Sequence, residues 1–175
     1  QRRRDARAGA AERMAQREAV QAALRDASTM PPAEWLAFYA PGKAVAHFDP
    51  PTLSWVKVAD IVRHGATQPR LAEDEGRVAG FAASYLEQPF YVAPIAAVVH
   101  GAKIGLGEGN HRLSALTRDD LAVLYAWVAA YVYETAIPLV GACALLNVAY
   151  NGRPAKAFSH FERVRGVRAV LATIG

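Results

Sequence analysis

The residues best suited to chemistry lie together in the segment Gly107 to Leu116, which reads GEGNHRLSAL. Two glycines flank Glu108 and allow the backbone to come close to a ligand. Arg112 offers a fork of donors that suits phosphate, and His111 offers a second donor or a proton-transfer group. When such a turn opens a helix, the unpaired N–H groups of the first helical turn add to the attraction for an anion. The segment therefore predicts a phosphate-binding turn.

Two residues of this turn are predicted to be catalytic. Glu108 can bind a metal ion or a sugar hydroxyl or take a proton, and His111 can transfer a proton. The residues alone leave one alternative open, a tight strand-to-helix turn with a surface His and Arg and no ligand. No metal site made of protein side chains is predicted, because the other histidines lack the helical spacing of metal ligands. Cys143 lies in the apolar run VGACALL and is predicted to be a buried structural residue.

The elements that must position the turn can be read from the pattern of apolar residues. Leu53 to Val58 alternates like a strand, and Glu73 to Leu86 has the spacing of an amphipathic helix. The predicted buried face of that helix consists of Val78, Phe81, Ala82 and Leu86. Pro94 to Val99 and Ala102 to Leu106 then form a hairpin whose second strand leads into the glycine turn. The order strand, glycine turn, helix is the one that a phosphate site requires.

A long apolar run follows the turn. Between Leu121 and Ala149 the only ionised residue is Glu134. A membrane span is rejected, because Pro138 and Gly141 interrupt the run and the aromatic residues lie inside it rather than at two interfaces. The aromatic and β-branched residues of its first half favour a buried strand. A helix over residues 118–134, capped by Thr117 and Asp120, is the alternative.

The ends of the chain carry its positive charge. The net charge of the chain is +4. Residues 1–26 contain seven Arg and four acidic residues, and residues 151–175 contain five basic residues and one Glu, so both ends are positively charged. Basic ends suit a polyanion such as DNA, although solvated helix faces give the same composition. We predict a helical N-terminal arm and capping helix over 1–50, an α/β domain over 51–150 and a basic tail over 151–175. A cytoplasmic location is expected because no targeting segment is visible, and Gln1 in place of Met is typical of a piece of a longer parent.

The order of these motifs resembles the ParB/sulfiredoxin superfamily, over roughly Leu53 to Glu134. The motifs follow the same order as in that family: VKVADI, the QPR box, the helix, the hairpin opened by Pro-Ile, the GEGNHR turn and the apolar strand. The resemblance implies an α/β fold, a small mixed β-sheet with flanking helices. It also implies a nucleoside triphosphate, CTP or ATP, with Mg2+ as a candidate companion ion. The residues that it implies for binding are Arg70, Gly107, Gly109, Asn110 and Arg112.

Departures from the family narrow the expected function. ParB segregation proteins have Gly-Glu-Arg-Arg at this turn, and sulfiredoxins place a reactive cysteine where this chain has Asn110, so neither activity is expected. We expect a ParB-like domain that binds a nucleotide or the phosphates of DNA, with NTPase or nuclease activity as the associated chemistry. A kinase of a small metabolite on the same fold, and a non-catalytic interaction module of a phage or mobile element, are the alternatives. Assembly into a homo-oligomer is left open.

Overall fold

The computed structural model describes residues 30–64, 73–87 and 92–151, together with five separate positions near the N-terminus. Those five, Gly9, Ala11, Ala15, Glu18 and Ala19, are all helical. The rest of the predicted N-terminal helix, the QPR box with Arg70, and the basic tail from residue 152 lie outside the described residues. The predictions made for these segments therefore remain predictions.

Five strands form one mixed sheet in the order β1-β5-β3-β4-β2. Strand β4 runs antiparallel to β3 and parallel to β2, while β5 runs parallel to β3 and antiparallel to β1. The strands are β1 (Thr52–Lys57), β2 (Ile61–Val62), β3 (Ile95–His100), β4 (Lys103–Glu108) and β5 (Trp127–Glu134). The predicted small mixed sheet is confirmed, and β2 and β4 end at the same edge because they are parallel.

Helices cover both faces of the sheet. The 3-10 helices are Ala33–Phe38 and Val58–Asp60, and the α-helices are α1 (Glu75–Glu87), α2 (Asn110–Leu116), α3 (Asp119–Ala122) and α4 (Leu139–Asn151). One core lies between the sheet and α1, α2 and α3, and a second lies between the sheet and α4. In the described part of the chain, no helix is long and apolar enough to cross a membrane.

The predicted hairpin is present, with Gly101 at a φ of 61° in its two-residue turn. The apolar run after α2 differs from the prediction at its start. It begins with α3, and the strand starts only at Trp127. Two aspartates in the first turn stabilise α3, because their negative charge interacts favourably with the positive end of the helix dipole. The residue that caps α3 is Arg118 rather than Thr117. A strand is therefore confirmed over Trp127–Glu134, in the first half of the run, and the alternative of one helix over 118–134 is wrong.

The buried face of α1 differs from the prediction by one residue. Val78 and Ala82 are buried as expected, but Leu86 is 48% exposed and Tyr85 is 3% exposed. Residues 78, 82 and 85 follow the i, i+4, i+7 spacing of one helical face, and Leu86 falls at the edge of that face. The aromatic ring of Tyr85 thus takes the place in the core that was expected for Leu86.

Alternate glycines in β4 let α4 approach the sheet. A Cβ at Gly105 would lie 2.5 Å from Cys143 Sγ, and a Cβ at Gly107 would lie 2.7 Å from both Cβ and Cδ1 of Leu146. Side chains alternate between the faces of a strand, so Gly107 faces α4 while Glu108 faces α1 and α2. Glycine at these positions is required for the packing of α4.

We expect Gly107→Ala to lower the free energy of unfolding by about 1–3 kcal/mol, because an added methyl group overpacks the contact with Leu146. Gly80→Ala is the matched control. Gly80 lies on the exposed side of α1 with open space around it, and alanine there should raise stability by about 0.5–1 kcal/mol. Urea unfolding of both variants measures the difference. Equal effects of the two substitutions would contradict the packing role of Gly107.

Candidate functional site

The turn that links β4 to α2 depends on Gly109. Its φ of 106° and ψ of 27° are left-handed, and a Cβ there would lie 2.6 Å from Ile95 Cγ2. Glycine adopts this conformation without strain, whereas other residues do not. Helix α2 begins at the next residue, Asn110, so His111 and Arg112 lie in its first turn. The structure thus confirms the predicted order of strand, glycine turn and helix.

Arg112 and Glu108 form an ion pair across this turn. The Arg112 guanidinium also donates through Nη1 to the carbonyl oxygens of Ala93, at 3.1 Å, and Pro94, at 2.6 Å. The two charged side chains are only 15% and 19% exposed. A carboxylate therefore occupies part of the guanidinium fork that a phosphate would use, and Arg112 also holds the segment that leads into β3.

His111 and Asn110 join the start of α2 to the start of α1. His111 is 9% exposed, and its Nε2 accepts a hydrogen bond from the backbone N–H of Asp74 at 3.2 Å. Asp74 in turn caps α1, because its Oδ1 accepts from the N–H of Arg77 at 3.2 Å. Asn110 Nδ2 donates to Glu73 Oε1 at 3.1 Å. One ring nitrogen of the predicted catalytic histidine is therefore engaged in holding two helices together.

A polar cluster that the sequence did not predict lies beside the turn. Ser114 donates to the carboxylate of Glu73 and accepts from Arg63 Nη1 at 2.8 Å, and Arg63 Nη2 donates to Thr117 Oγ1 at 3.3 Å. Burial lowers the pKa of Arg63, and the nearby negative charge of Glu73 acts in the opposite direction. The signal in the sequence is the i, i+4, i+7 spacing of Asn110, Ser114 and Thr117, which places three polar residues along one side of α2 and its C-cap.

The structure brings most of the predicted site residues together. Glu108, Gly109, Asn110, His111 and Arg112 share one edge of the sheet, where β2 and β4 end. Among the residues that the structure describes, no group of three or more His, Cys, Asp or Glu side chains is placed to hold a metal ion.

Gly107 and Cys143 lie on the other face of the sheet. Gly107 faces α4, where packing accounts for it. Cys143 is buried on that same face of the sheet, and burial raises the pKa of its thiol to about 12. The structural reading of Cys143 fits this position, because a thiol of such high pKa is a poor nucleophile at neutral pH.

No protein-family model and no curated protein matches this sequence. Among solved structures, sulfiredoxin from Arabidopsis thaliana is 18% identical with a TM-score of 0.38, and the match covers 47% of this chain and 84% of that one. The C-terminally truncated chromosome-partitioning protein ParB from Caulobacter crescentus, complexed with CTP-gamma-S, is 14% identical with a TM-score of 0.45. That match covers 70% of this chain and 64% of the ParB chain, so this chain spans less than two thirds of the ParB structure. Each is a likeness to part of a fold, with a TM-score below 0.5.

We expect Arg112→Ala to lower the free energy of unfolding by about 2–4 kcal/mol, because it leaves Glu108 without its ion partner and two backbone carbonyls without a donor. Arg118→Ala is the control. Arg118 is exposed, and its loss should change stability by no more than about 0.5 kcal/mol. Denaturant unfolding compares the two, and similar small effects would show that the contacts of Arg112 contribute little to the fold.

Proposed function

We propose that this chain binds a nucleoside triphosphate at the edge where β2 and β4 end, with Arg112 as the main phosphate ligand. The observation that supports this most directly is the Glu108–Arg112 pair beside the left-handed Gly109 turn. A guanidinium that binds a carboxylate has the geometry to bind a phosphate, since both present two oxygens to the same fork of donors. The site thus already contains an anion, supplied by the protein itself.

Neighbouring groups extend the proposed site beyond Arg112. Ligands of open α/β sheets commonly lie in the crevice outside the carboxyl ends of the strands, and β2 and β4 share such an edge. Arg63 follows β2 directly and lies beside α2, where it bonds to Ser114 and Thr117. Arg63 and Arg112 would then act on different parts of one polyphosphate.

The donor set fits a Mg2+ ion that arrives with its nucleotide. Mg2+ is commonly held by one or two carboxylates together with phosphate oxygens, rather than by a cage of protein ligands. Glu73 is the carboxylate that would hold it, and Glu108 would then act on the proton of the attacking group. When bound, the ion would neutralise charge on the phosphoryl oxygens.

In our proposal the two residues that were predicted to be catalytic have different roles. Glu108 lies beside the proposed phosphate position and would take a proton from an attacking water or hydroxyl group. His111 uses Nε2 as an acceptor from Asp74, so in our proposal it positions α1 against α2. Hydrolysis of a nucleotide or phosphodiester is the proposed activity. DNA binding through the basic ends remains a prediction of the sequence.

Binding can be measured by thermal shift with CTP and ATP, each with and without Mg2+. A ligand present at 100 times its dissociation constant should stabilise the fold by about 2.7 kcal/mol. A short DNA duplex at two salt concentrations serves as a parallel sample, since binding to DNA phosphates weakens steeply as salt rises. Failure of every nucleotide to shift the transition would contradict the proposed function.

Glu108→Gln tests whether Arg112 is the phosphate ligand. The amide keeps the shape of Glu108 but removes the negative charge that competes for the guanidinium, so nucleotide binding without metal should tighten about fivefold, or roughly 1 kcal/mol. Glu134→Gln is the matched control, because Glu134 ends β5 at the opposite edge of the sheet. Calorimetric titration in metal-free buffer distinguishes them. Weaker binding by Glu108→Gln would overturn the role given to Arg112.

A further inference from the structure

The hydroxyl of Ser114, in α2, lies between two opposite charges. It donates to Oε1 of Glu73 and accepts from Nη1 of Arg63 at 2.8 Å. A hydroxyl suits this position, because it has one donor and two acceptor lone pairs and can bond to an anion and a cation at once. Ser114 is only 8% exposed, whereas Arg63 and Glu73 both retain exposed surface. A buried hydroxyl thus connects two charged groups at the surface.

The two charges are close together without being paired directly. Since both bond to one oxygen atom, Arg63 Nη1 and Glu73 Oε1 are no more than about 6 Å apart. Within the described ranges they form no direct ion pair, in contrast to Arg112 and Glu108. Asn110 Nδ2 donates to the same Oε1 at 3.1 Å, so two donors of α2 fix the position of this carboxylate.

The partners of Arg63 differ in kind from those of Arg112. Its guanidinium donates to two neutral hydroxyl groups, those of Ser114 at 2.8 Å and Thr117 at 3.3 Å. Part of the Arg112 fork is instead occupied by a carboxylate. Hydrogen bonds between charged partners are shorter and stronger than those to neutral groups, so a carboxylate competes with phosphate more effectively than a hydroxyl does. Exchange of its partners for a phosphate therefore costs Arg63 less than it costs Arg112.

We infer that Ser114 is a positioning residue of the proposed nucleotide site, and that its hydroxyl keeps Arg63 and Glu73 apart so that Arg63 remains available for phosphate. This inference rests on the proposed function and adds to it the state of Arg63 before the ligand arrives. The hydroxyl acts through Arg63 and needs no contact with the nucleotide. Without it, Arg63 and Glu73 would pair directly, and a nucleotide would have to break that pair to reach the guanidinium.

Ser114→Ala, made with and without Glu73→Gln, tests this role as a double-mutant cycle. In metal-free buffer, Ser114→Ala should bind CTP and ATP about three- to fivefold more weakly than the wild type, because a partly exposed ion pair must first be broken. Glu73→Gln removes the carboxylate that would form this pair. The double variant should therefore bind like Glu73→Gln alone, and calorimetric titration of the four proteins measures the difference.

Thr117→Val is the matched control, because it removes the other hydroxyl that Arg63 contacts and leaves the bond between Ser114 and Glu73 in place. Its effect on binding should be the same with and without Glu73→Gln. Thermal unfolding of the nucleotide-free proteins separates positioning from folding. Ser114→Ala should melt lower in both backgrounds, since hydrogen bonds are lost in each, but it should weaken binding only where Glu73 is present.

The outcomes separate this inference from the function on which it rests. Wild-type affinity in Ser114→Ala overturns the inference, and so does weak binding that persists in the double variant, because the loss then does not come from Glu73. A crystal structure of Ser114→Ala should show Arg63 and Glu73 within about 4 Å of each other, and a separation like that of the wild type also overturns it. A wild-type protein that binds neither nucleotide overturns the proposed function, while this distance still confirms or overturns the separation of the two charges by Ser114.

Discussion

Three alternate glycines, two in β4 and one directly after it, determine how helices pack around this part of the sheet. Gly105 and Gly107 leave room on one face of β4 for Leu139, Cys143 and Leu146 of α4. Gly109 then turns the chain in a left-handed conformation against Ile95, so that α2 begins directly at the sheet edge. A Cβ at Gly105 or Gly107 would meet side chains of α4, and a Cβ at Gly109 would meet Ile95 of β3, so these positions do not tolerate a side chain without local movement.

Much of this fold follows from local features of the sequence. The hairpin and α1 were predictable because apolar spacing and a glycine turn act over a few residues, and the order of strand, turn and helix around Gly109 has the same origin. The purpose of Gly107 was not predictable. A glycine next to Glu108 and Gly109 is compatible with a ligand cradle, and only the position of α4 shows that this one serves helix packing.

The parts of the candidate site that the sequence did not predict are the ones that join distant segments. Arg63 and Ser114 are 51 residues apart, and Ser114 and Glu73 are 41 residues apart, so no spacing rule relates them. The place of Tyr85 in the core was missed for a different reason. Tyr85 and Leu86 are adjacent apolar residues near the end of α1, and periodicity favoured Leu86, whereas the aromatic contacts with Phe81 and Tyr125 select Tyr85.

The Glu108 carboxylate sets a condition on any anion that is to reach Arg112. A ligand with a single negative charge would replace the Glu108–Arg112 ion pair with a similar ion pair to Arg112. Its binding would also cost the ligand's freedom of motion and leave Glu108 without an ion partner. A polyphosphate brings more charge on more oxygens, and within the proposed function it would contact Arg63 as well as Arg112. Within the proposed function, the internal ion pair therefore discriminates against simple carboxylates, and this places nucleoside triphosphates ahead of small acids as ligands.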